Sequence, residues 1–501
     1  MSTLTLSMIV KNEEKYLRDC LESVKNIVNE IVIVDTGSTD KTKDIAKNYN
    51  AKIIELEWQN DFSFARNIAL KNSTCDWILY LDADERLNEN SLNEIKKLTE
   101  TNEKLGINCN IKNIDEFQNS PKLMKYIRLF KNDINIKFIG RAHEQIEPSL
   151  FENNYKTINS SIEIIHLGYN KPKEELKKKA ERNLKLLLAD YNENQTSYLA
   201  YQIANSYSIL DDKETALKFF GEAILDKHLR NEFKVICYLH LADNEMRLNN
   251  IEKAFKFFQL GIFLDDKNTL LNMIGAQILA KMNNGKEALK LCKKAYDHNL
   301  ELSKSHNSNN IQEIIIDDKK IIYQGMLLSV QFKDKESFNF YLQELQYYDL
   351  QLSIIFEKLK NNKDLTKADV EELSILTTDD NLELVLKLVE PYFNIEIKLD
   401  YYSTIYNKFF NSLKYVMSFG SFLISIHFLD EAEIIIESAL DFEEFDPAIL
   451  YYLASIYIKK DKIDKLKNLI RTAENKLNTN FKDSLVEFKS KVLPLINYEI
   501  S

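Results

Sequence analysis

Glycine and proline are scarce, 10 and 6 in a chain of 501 residues. With so few breakers, long helices are expected over much of the chain. Cysteine is scarce too. Cys20, Cys75, Cys109, Cys237 and Cys292 are odd in number, widely scattered and without a Cys-x-x-Cys pair. No disulfide framework or zinc site follows from that pattern, and buried free thiols are expected. Positive charge is outweighed: 66 Lys and Arg stand against 77 Asp and Glu, for a net charge of −11 and a pI near 5.4. A nucleic-acid binder needs a basic stripe, and none is present. Long hydrophobic runs are missing as well. Leu4 to Val10 is too short, and lacks the basic flank, for a signal peptide. The longest uncharged stretch, Tyr415 to Leu429, carries Ser418, Ser421, Ser425 and His427 and reads as a buried helix rather than a bilayer span. These absences predict a cytoplasmic protein of two or three domains with no membrane insertion.

What is present is centred on Trp77-Ile78-Leu79-Tyr80-Leu81-Asp82-Ala83-Asp84-Glu85. The apolar run reads as a buried parallel strand, and Asp82 and Asp84 follow at its carboxyl end, where open α/β sheets bind ligands. Alternate residues of an extended chain point the same way, so both carboxylates face one small volume. Mg²⁺ or Mn²⁺ is held by one or two carboxylates with phosphate oxygens completing the shell. Asp-x-Asp is therefore either a metal–diphosphate seat or the acidic start of a solvated loop.

Upstream, strands at Leu4–Val10, Glu30–Asp35 and Lys52–Leu56 alternate with helices, as right-handed crossovers of a parallel sheet require. Ser38 or Asp40 is expected to cap the helix from Lys41 to Tyr49. Asp35 closes the second strand and reads as an acceptor for a base or ribose donor, or as a turn cap. Arg66 opens a helix and reads as a phosphate contact, or as a surface ion pair with Asp61 or Asp76. Downstream, a strand over Met124–Phe130 precedes Gly140-Arg141-Ala142-His143-Glu144, and an apolar strand ends in His166-Leu167-Gly168-Tyr169. Glu144, then His143, are candidates for a base that deprotonates an acceptor. His166 is a third metal ligand, a diphosphate contact or a hydrogen-bonded cap.

Four ordered segments, Ser7-Met8-Ile9-Val10-Lys11-Asn12-Glu13-Glu14, Ile33-Val34-Asp35-Thr36-Gly37-Ser38-Thr39-Asp40, Phe64-Ala65-Arg66-Asn67 and Trp77–Glu85, together resemble the family-two inverting glycosyltransferases of the GT-A fold. The resemblance covers about the first 170 residues. It implies that Asp35 holds the uracil of a UDP-sugar and that the Val10, Lys11, Asn12 backbone, with Glu13, frames the base. It also implies that Asp82 and Ala83 sit near ribose and sugar, and that Asp84 ligates Mn²⁺ or Mg²⁺. Flagellin-modifying members of the group join this domain to a helical tail and transfer GlcNAc to Ser or Thr. The alternatives are S-linked transfer to a cysteine of a bacteriocin precursor and a non-catalytic nucleotide-binding scaffold.

From Gln195 onward the pattern predicts paired helices and no strands. Small and aromatic positions (Ala200, Ala204, Tyr207, Ala216, Phe220) fit a tetratricopeptide repeat, and Ala254 to Ala288 and Ala432 to Leu466 are each 34 residues apart, the repeat length. Between Ser303 and Lys414 the register degenerates, with Gly325, Leu328, Ser337 and Tyr341 hinting at a further unit. The expected architecture is an α/β GT-A domain over 1–170, a linking helix over 171–194 and an all-α repeat solenoid over 195–501. Such an array suits a polypeptide acceptor, or joins two copies of the chain.

Overall fold

Leu4–Val10 forms β1, the buried middle strand of the parallel part of the sheet, because six of its seven side chains find apolar cover on the two faces. It pairs in parallel with β2 (Glu30–Asp35) and with β4 (Trp77–Tyr80), and β2 pairs in parallel with β3 (Lys52–Glu55). Helices α1 (Leu17–Val24), α2 (Thr42–Asn48) and α3 (Phe62–Lys71) are the crossovers. Three further strands, β5 (Glu85–Leu87), β6 (Leu105–Asn113) and β7 (Lys122–Lys131), precede β8 (Lys156–His166), and helices α4 (Leu92–Leu98) and α5 (Glu147–Glu152) lie between them. The strand order is β3-β2-β1-β4-β7-β6-β8-β5, with β7 antiparallel to β4 and β6. A short β9 (Gln312–Ile314), from the region expected to hold only helices, pairs antiparallel with β7. This computed structural model describes residues 2–113, 122–167, 173–227, 229–305, 312–361, 365–442, 446–477 and 482–497. Gly168 and Tyr169 lie outside them.

The strand register fixes the site. Val10 pairs with Asp35, and Ser7 pairs with Tyr80, so the chain leaves β2 and β4 on either side of the end of β1. Asp35 and the Asp82–Asp84 segment therefore share the carboxyl edge of the sheet. One core lies on the α1 and α2 side, with Leu6, Met8, Leu21, Leu79 and Ile164 fully buried. Another, of Val32, Val34, Ala65 and Ala69, seats α3.

The contacts divide the chain into two units: Met1–Glu245 with Ile251–Ile278 and Lys294–Asp317, and Met246–Asn250 with Leu279–Lys293 and Asp318–Ser501. The first contains the sheet, α6 (Lys173–Glu193) and the helix pair α7 (Ser197–Ile209) and α8 (Lys213–Ala223). Ala200, Ala204, Ala216, Phe220 and Ala223 are buried between α7 and α8, as repeat packing demands. In the second unit the helices Asp318–Gln331 and Lys335–Leu345 do form a pair, and an added Cβ at Gly325 would lie 2.3 Å from the Tyr341 ring. Gly420 allows the same approach, its Cβ position 2.4 Å from Ile436. Small residues recur there because the helix axes come too close for a side chain. No helix among the described residues is long and apolar enough to cross a membrane.

Candidate active site

Asp35 is 2% exposed, and its two oxygens have different fates. Oδ1 accepts from the backbone N–H of Gly37 (2.9 Å) and Ser38 (2.7 Å), the turn cap anticipated from sequence. Oδ2 is buried with no hydrogen-bond partner among the described residues. A buried acceptor left unpaired costs free energy on the order of 1–3 kcal/mol, so this oxygen is suited to a ligand's N–H. The β1–α1 turn lies beside it. Asn12 has φ 56°, its N–H donates to Ser38 Oγ (2.9 Å), and its Oδ1 accepts from Thr39 N (2.8 Å). Val10 O accepts from Thr36 N (3.0 Å), and Glu13 N donates to Thr42 Oγ1 (2.7 Å). Lys11 is exposed. Ser38 thus pins the turn rather than capping α2, whose first N–H groups include Thr42 N, donating to Asp40 Oδ1 (3.0 Å).

Across β1, Asp82 is 37% exposed at its side chain. Its Oδ1 accepts from Arg66 Nη2 (2.7 Å) and its Oδ2 lies 3.8 Å from Arg128 Nη2. Burial raises the carboxyl's pKa, but the two guanidinium groups outweigh it and hold Asp82 well below the usual carboxylate range. Arg66 is 7% exposed, and its Nε donates to Glu144 Oε1 at 2.5 Å. Its partners are therefore Asp82 and Glu144, not Asp61 or Asp76. Asp61 caps α3 by accepting from Phe64 N (2.9 Å), and Asp76 accepts from Thr3. Ala83 is buried, and its carbonyl accepts from Arg86 Nη1 (2.8 Å).

Asp84 Oδ1 faces His166 Nε2 at 3.6 Å, and His166 Nδ1 is 2.6 Å from Asn113 Oδ1. Asn113 Oδ1 and Asp84 Oδ1 are both acceptors, so the imidazole stands between two oxygens. Burial raises the Asp84 pKa, but the hydrogen bond and charge of His166 outweigh it and lower the value. A carboxylate facing an imidazole nitrogen can contribute ligands to a cation whose other ligands are phosphate oxygens and water. Among the described residues no three His, Cys, Asp or Glu side chains converge to cage an ion unaided. The donor set fits a cation shared with a bound diphosphate.

His143 sits in a tight turn with φ 53°, where Ile139 and Gln145 bridge. Its carbonyl accepts from the Tyr198 hydroxyl (3.2 Å) of α7. Its ring reaches the surface, yet the packed protein around it lowers its pKa below the ordinary 6.5, against the pull of Glu144. The structure thus brings Asp82, Arg66 and Glu144 together, with His143 next to Glu144 in the chain, Asp84 and His166 beyond Asp82, and Asp35 across β1. Sequence reasoning missed Glu85, Arg128 and Asn113. Glu85 is 1% exposed, accepting from Arg128 Nη2 (2.6 Å) and from Asp82 N (2.9 Å). The available signal was an arginine inside the apolar run Tyr126–Phe130.

A parallel sheet that turns antiparallel after an Asp-x-Asp strand, with a carboxylate at the neighbouring strand end, defines a GT-A glycosyltransferase domain. Residues 5–160 match the family described as glycosyl transferase family 2, and this stretch is a domain of that family. TPR repeat-containing protein Synpcc7942_0270 of Synechococcus elongatus is 30% identical over 52% of this chain and 66% of its own. The SPbeta prophage-derived glycosyltransferase SunS of Bacillus subtilis is 29% identical over 48% of this chain and 60% of its own. The chain thus spans about two thirds or less of these curated relatives. Among solved structures, S. aureus TarS 1-349 in complex with UDP-GlcNAc is similar at 15% identity, covering 62% of this chain and 93% of that one with a TM-score of 0.28.

Proposed function

We propose that this protein is a cation-dependent, inverting glycosyltransferase of the cytoplasm. It moves a sugar, N-acetylglucosamine, from UDP to Ser or Thr of a polypeptide acceptor of the flagellin kind. The observation that carries the reading is the orphaned, buried Oδ2 of Asp35 on the same sheet edge as the facing Asp84 and His166. Asp35 takes the uracil N3–H, the Val10–Asn12 backbone and Glu13 frame the base, and Asp82 with Ala83 lies along ribose and sugar. Asp84 and His166 would hold Mn²⁺ or Mg²⁺, which when bound neutralises the departing diphosphate. Arg66 keeps Asp82 and Glu144 in place and adds positive charge beneath the phosphates.

The acceptor oxygen attacks the anomeric carbon from the face opposite the diphosphate. The carbon–oxygen bond to UDP breaks as the new one forms, and the acceptor proton passes to Glu144 or His143. Oε1 of Glu144 is occupied by Arg66, which leaves Oε2 for that proton. The domain division at 1–170, 171–194 and 195–501 belongs to this proposal, with the helical array holding the acceptor chain and providing the surface for a second copy. A donor screen that reads free UDP with and without Mn²⁺ tests the chemistry, and intact mass of flagellin after incubation with UDP-GlcNAc tests the acceptor. Flagellin that gains about 203 Da per site on Ser or Thr supports the reading. Unmodified flagellin beside a glycosylated cysteine peptide overturns the acceptor assignment.

A further inference from the structure

Beneath the site, five side chains of alternating charge follow one another without a gap. Glu85 Oε1 accepts from Arg128 Nη2 (2.6 Å), and that same nitrogen lies 3.8 Å from Asp82 Oδ2. Asp82 Oδ1 accepts from Arg66 Nη2 (2.7 Å), and Arg66 Nε donates to Glu144 Oε1 (2.5 Å). The Tyr80 ring lies against both guanidinium groups, 5.3 Å from Arg66 and 4.5 Å from Arg128. Exposure runs from 1% at Glu85 through 11% at Arg128 to 37% at Asp82, so the series is dry at its root and opens where a donor would sit. Three carboxylates share two cations. Glu85 Oε2 also accepts from the Asp82 backbone N–H (2.9 Å), which keeps Glu85 beside Asp82 independently of Arg128.

We propose, building on the reading of this edge as a donor seat, that Arg128 and Glu85 are positioning residues for the transfer. Through the series Glu85–Arg128–Asp82–Arg66–Glu144 they fix Asp82 toward the donor and divide Arg66 between Asp82 and the acceptor-side carboxylate. Neither reaches the reacting atoms. Arg128 acts by relieving Arg66: with Arg128 gone, Asp82 draws the whole of Arg66 to itself and Glu144 loses its anchor. A planar guanidinium suits the task, since it meets Glu85 and Asp82 while stacking on Tyr80, and an ammonium does only the first. Buried partners that orient the groups of a site typically carry about 10- to 100-fold of its affinity or rate.

The test uses the full chain and two probes, UDP titrated with Mn²⁺ present and UDP release from UDP-GlcNAc. Arg128→Met is expected to lose about 10- to 100-fold in turnover and in UDP affinity. Adding Glu85→Gln, which contributes no contact but removes the stranded charge, should recover about tenfold of that loss, the mark of coupled neighbours. Arg128→Lys keeps the charge without the fork and provides a folded comparison if the methionine variant does not fold. It should lower kcat about tenfold with little change in melting temperature. A double variant as poor as Arg128→Met, or wild-type kcat in Arg128→Lys, overturns the positioning role. A wild-type chain that fails to bind UDP with Mn²⁺ overturns the donor seat itself, and this role with it.

Discussion

Asp35 shows how one side chain divides structural and binding work. Oδ1 closes the turn through Gly37 and Ser38, and Oδ2 is buried with no hydrogen-bond partner among the described residues. Asp35→Asn keeps an oxygen for the turn and turns an N–H₂ group toward the ligand. It should weaken UDP binding by about 1–3 kcal/mol while leaving the melting temperature nearly unchanged. The same change should narrow the gap between UDP and CDP, because the cytosine N3 accepts where the uracil N3–H donates; calorimetric titration of both nucleotides reads it. Asp84→Ala should abolish Mn²⁺-dependent UDP release, and His166→Ala should raise the Mn²⁺ needed for half-maximal rate about 10- to 100-fold. Release that is indifferent to Mn²⁺ in the wild type contradicts both roles. At this scale the sequence was informative where a motif is local. Asp35 closes β2, so its placement follows from strand geometry. Asp84 instead lies in a turn beyond the end of β4, where Glu85 N donates to Asp82 O (3.0 Å), and not on the extended chain expected from sequence. The partners of Arg66 were not legible, because Asp82 and Glu144 lie 16 and 78 residues away, and nearby Asp61 and Asp76 are satisfied elsewhere.

The elements that could be read in advance are those with one dominant period. β4 and the Ile31–Val34 stretch of β2 are continuous apolar runs, β1 is apolar but for Thr5 and Ser7, and α7 and α8 carry the small-residue spacing of a repeat. β6, Leu-Gly-Ile-Asn-Cys-Asn-Ile-Lys-Asn, went unread because polar residues interrupt it; Asn110 is buried by donating to Ser160 O (3.1 Å). β5 has three residues, and β9 exists only by pairing with β7, which no local pattern announces. Within the helical region two tests follow. Gly325→Ala places a Cβ 2.3 Å from the Tyr341 ring and should destabilise its unit by about 1–3 kcal/mol, seen as an earlier transition in thermal denaturation. Glu433 is the other. It is buried on Leu429–Ser438, and burial raises its pKa, but hydrogen bonds from Lys460, Lys462 and Lys465 outweigh this and hold it at about 2. Asp430 and Glu437 share the same lysines, and Tyr457 donates to Glu437 (2.6 Å). A carboxylate depressed on folding stabilises fully above its ordinary 4.5 and loses that contribution as pH falls toward about 2. Glu433→Gln should therefore flatten the acid limb of the stability profile between those values, and an unchanged limb contradicts the assignment.

As a whole, the molecule joins a domain matching glycosyl transferase family 2 to a run of helix pairs on one acidic chain. The family domain was legible because its four segments keep their order and spacing. The middle of the helical region was not, because its pairs depart from the 34-residue step that marks the others. One measurement bears on the central claim most directly: calorimetric titration of the wild-type chain with UDP, with Mn²⁺ present and then removed by chelator. The account predicts saturable binding of one UDP that Mn²⁺ strengthens and that Asp84→Ala makes indifferent to the ion. No binding, or binding of equal strength in chelator, would contradict it.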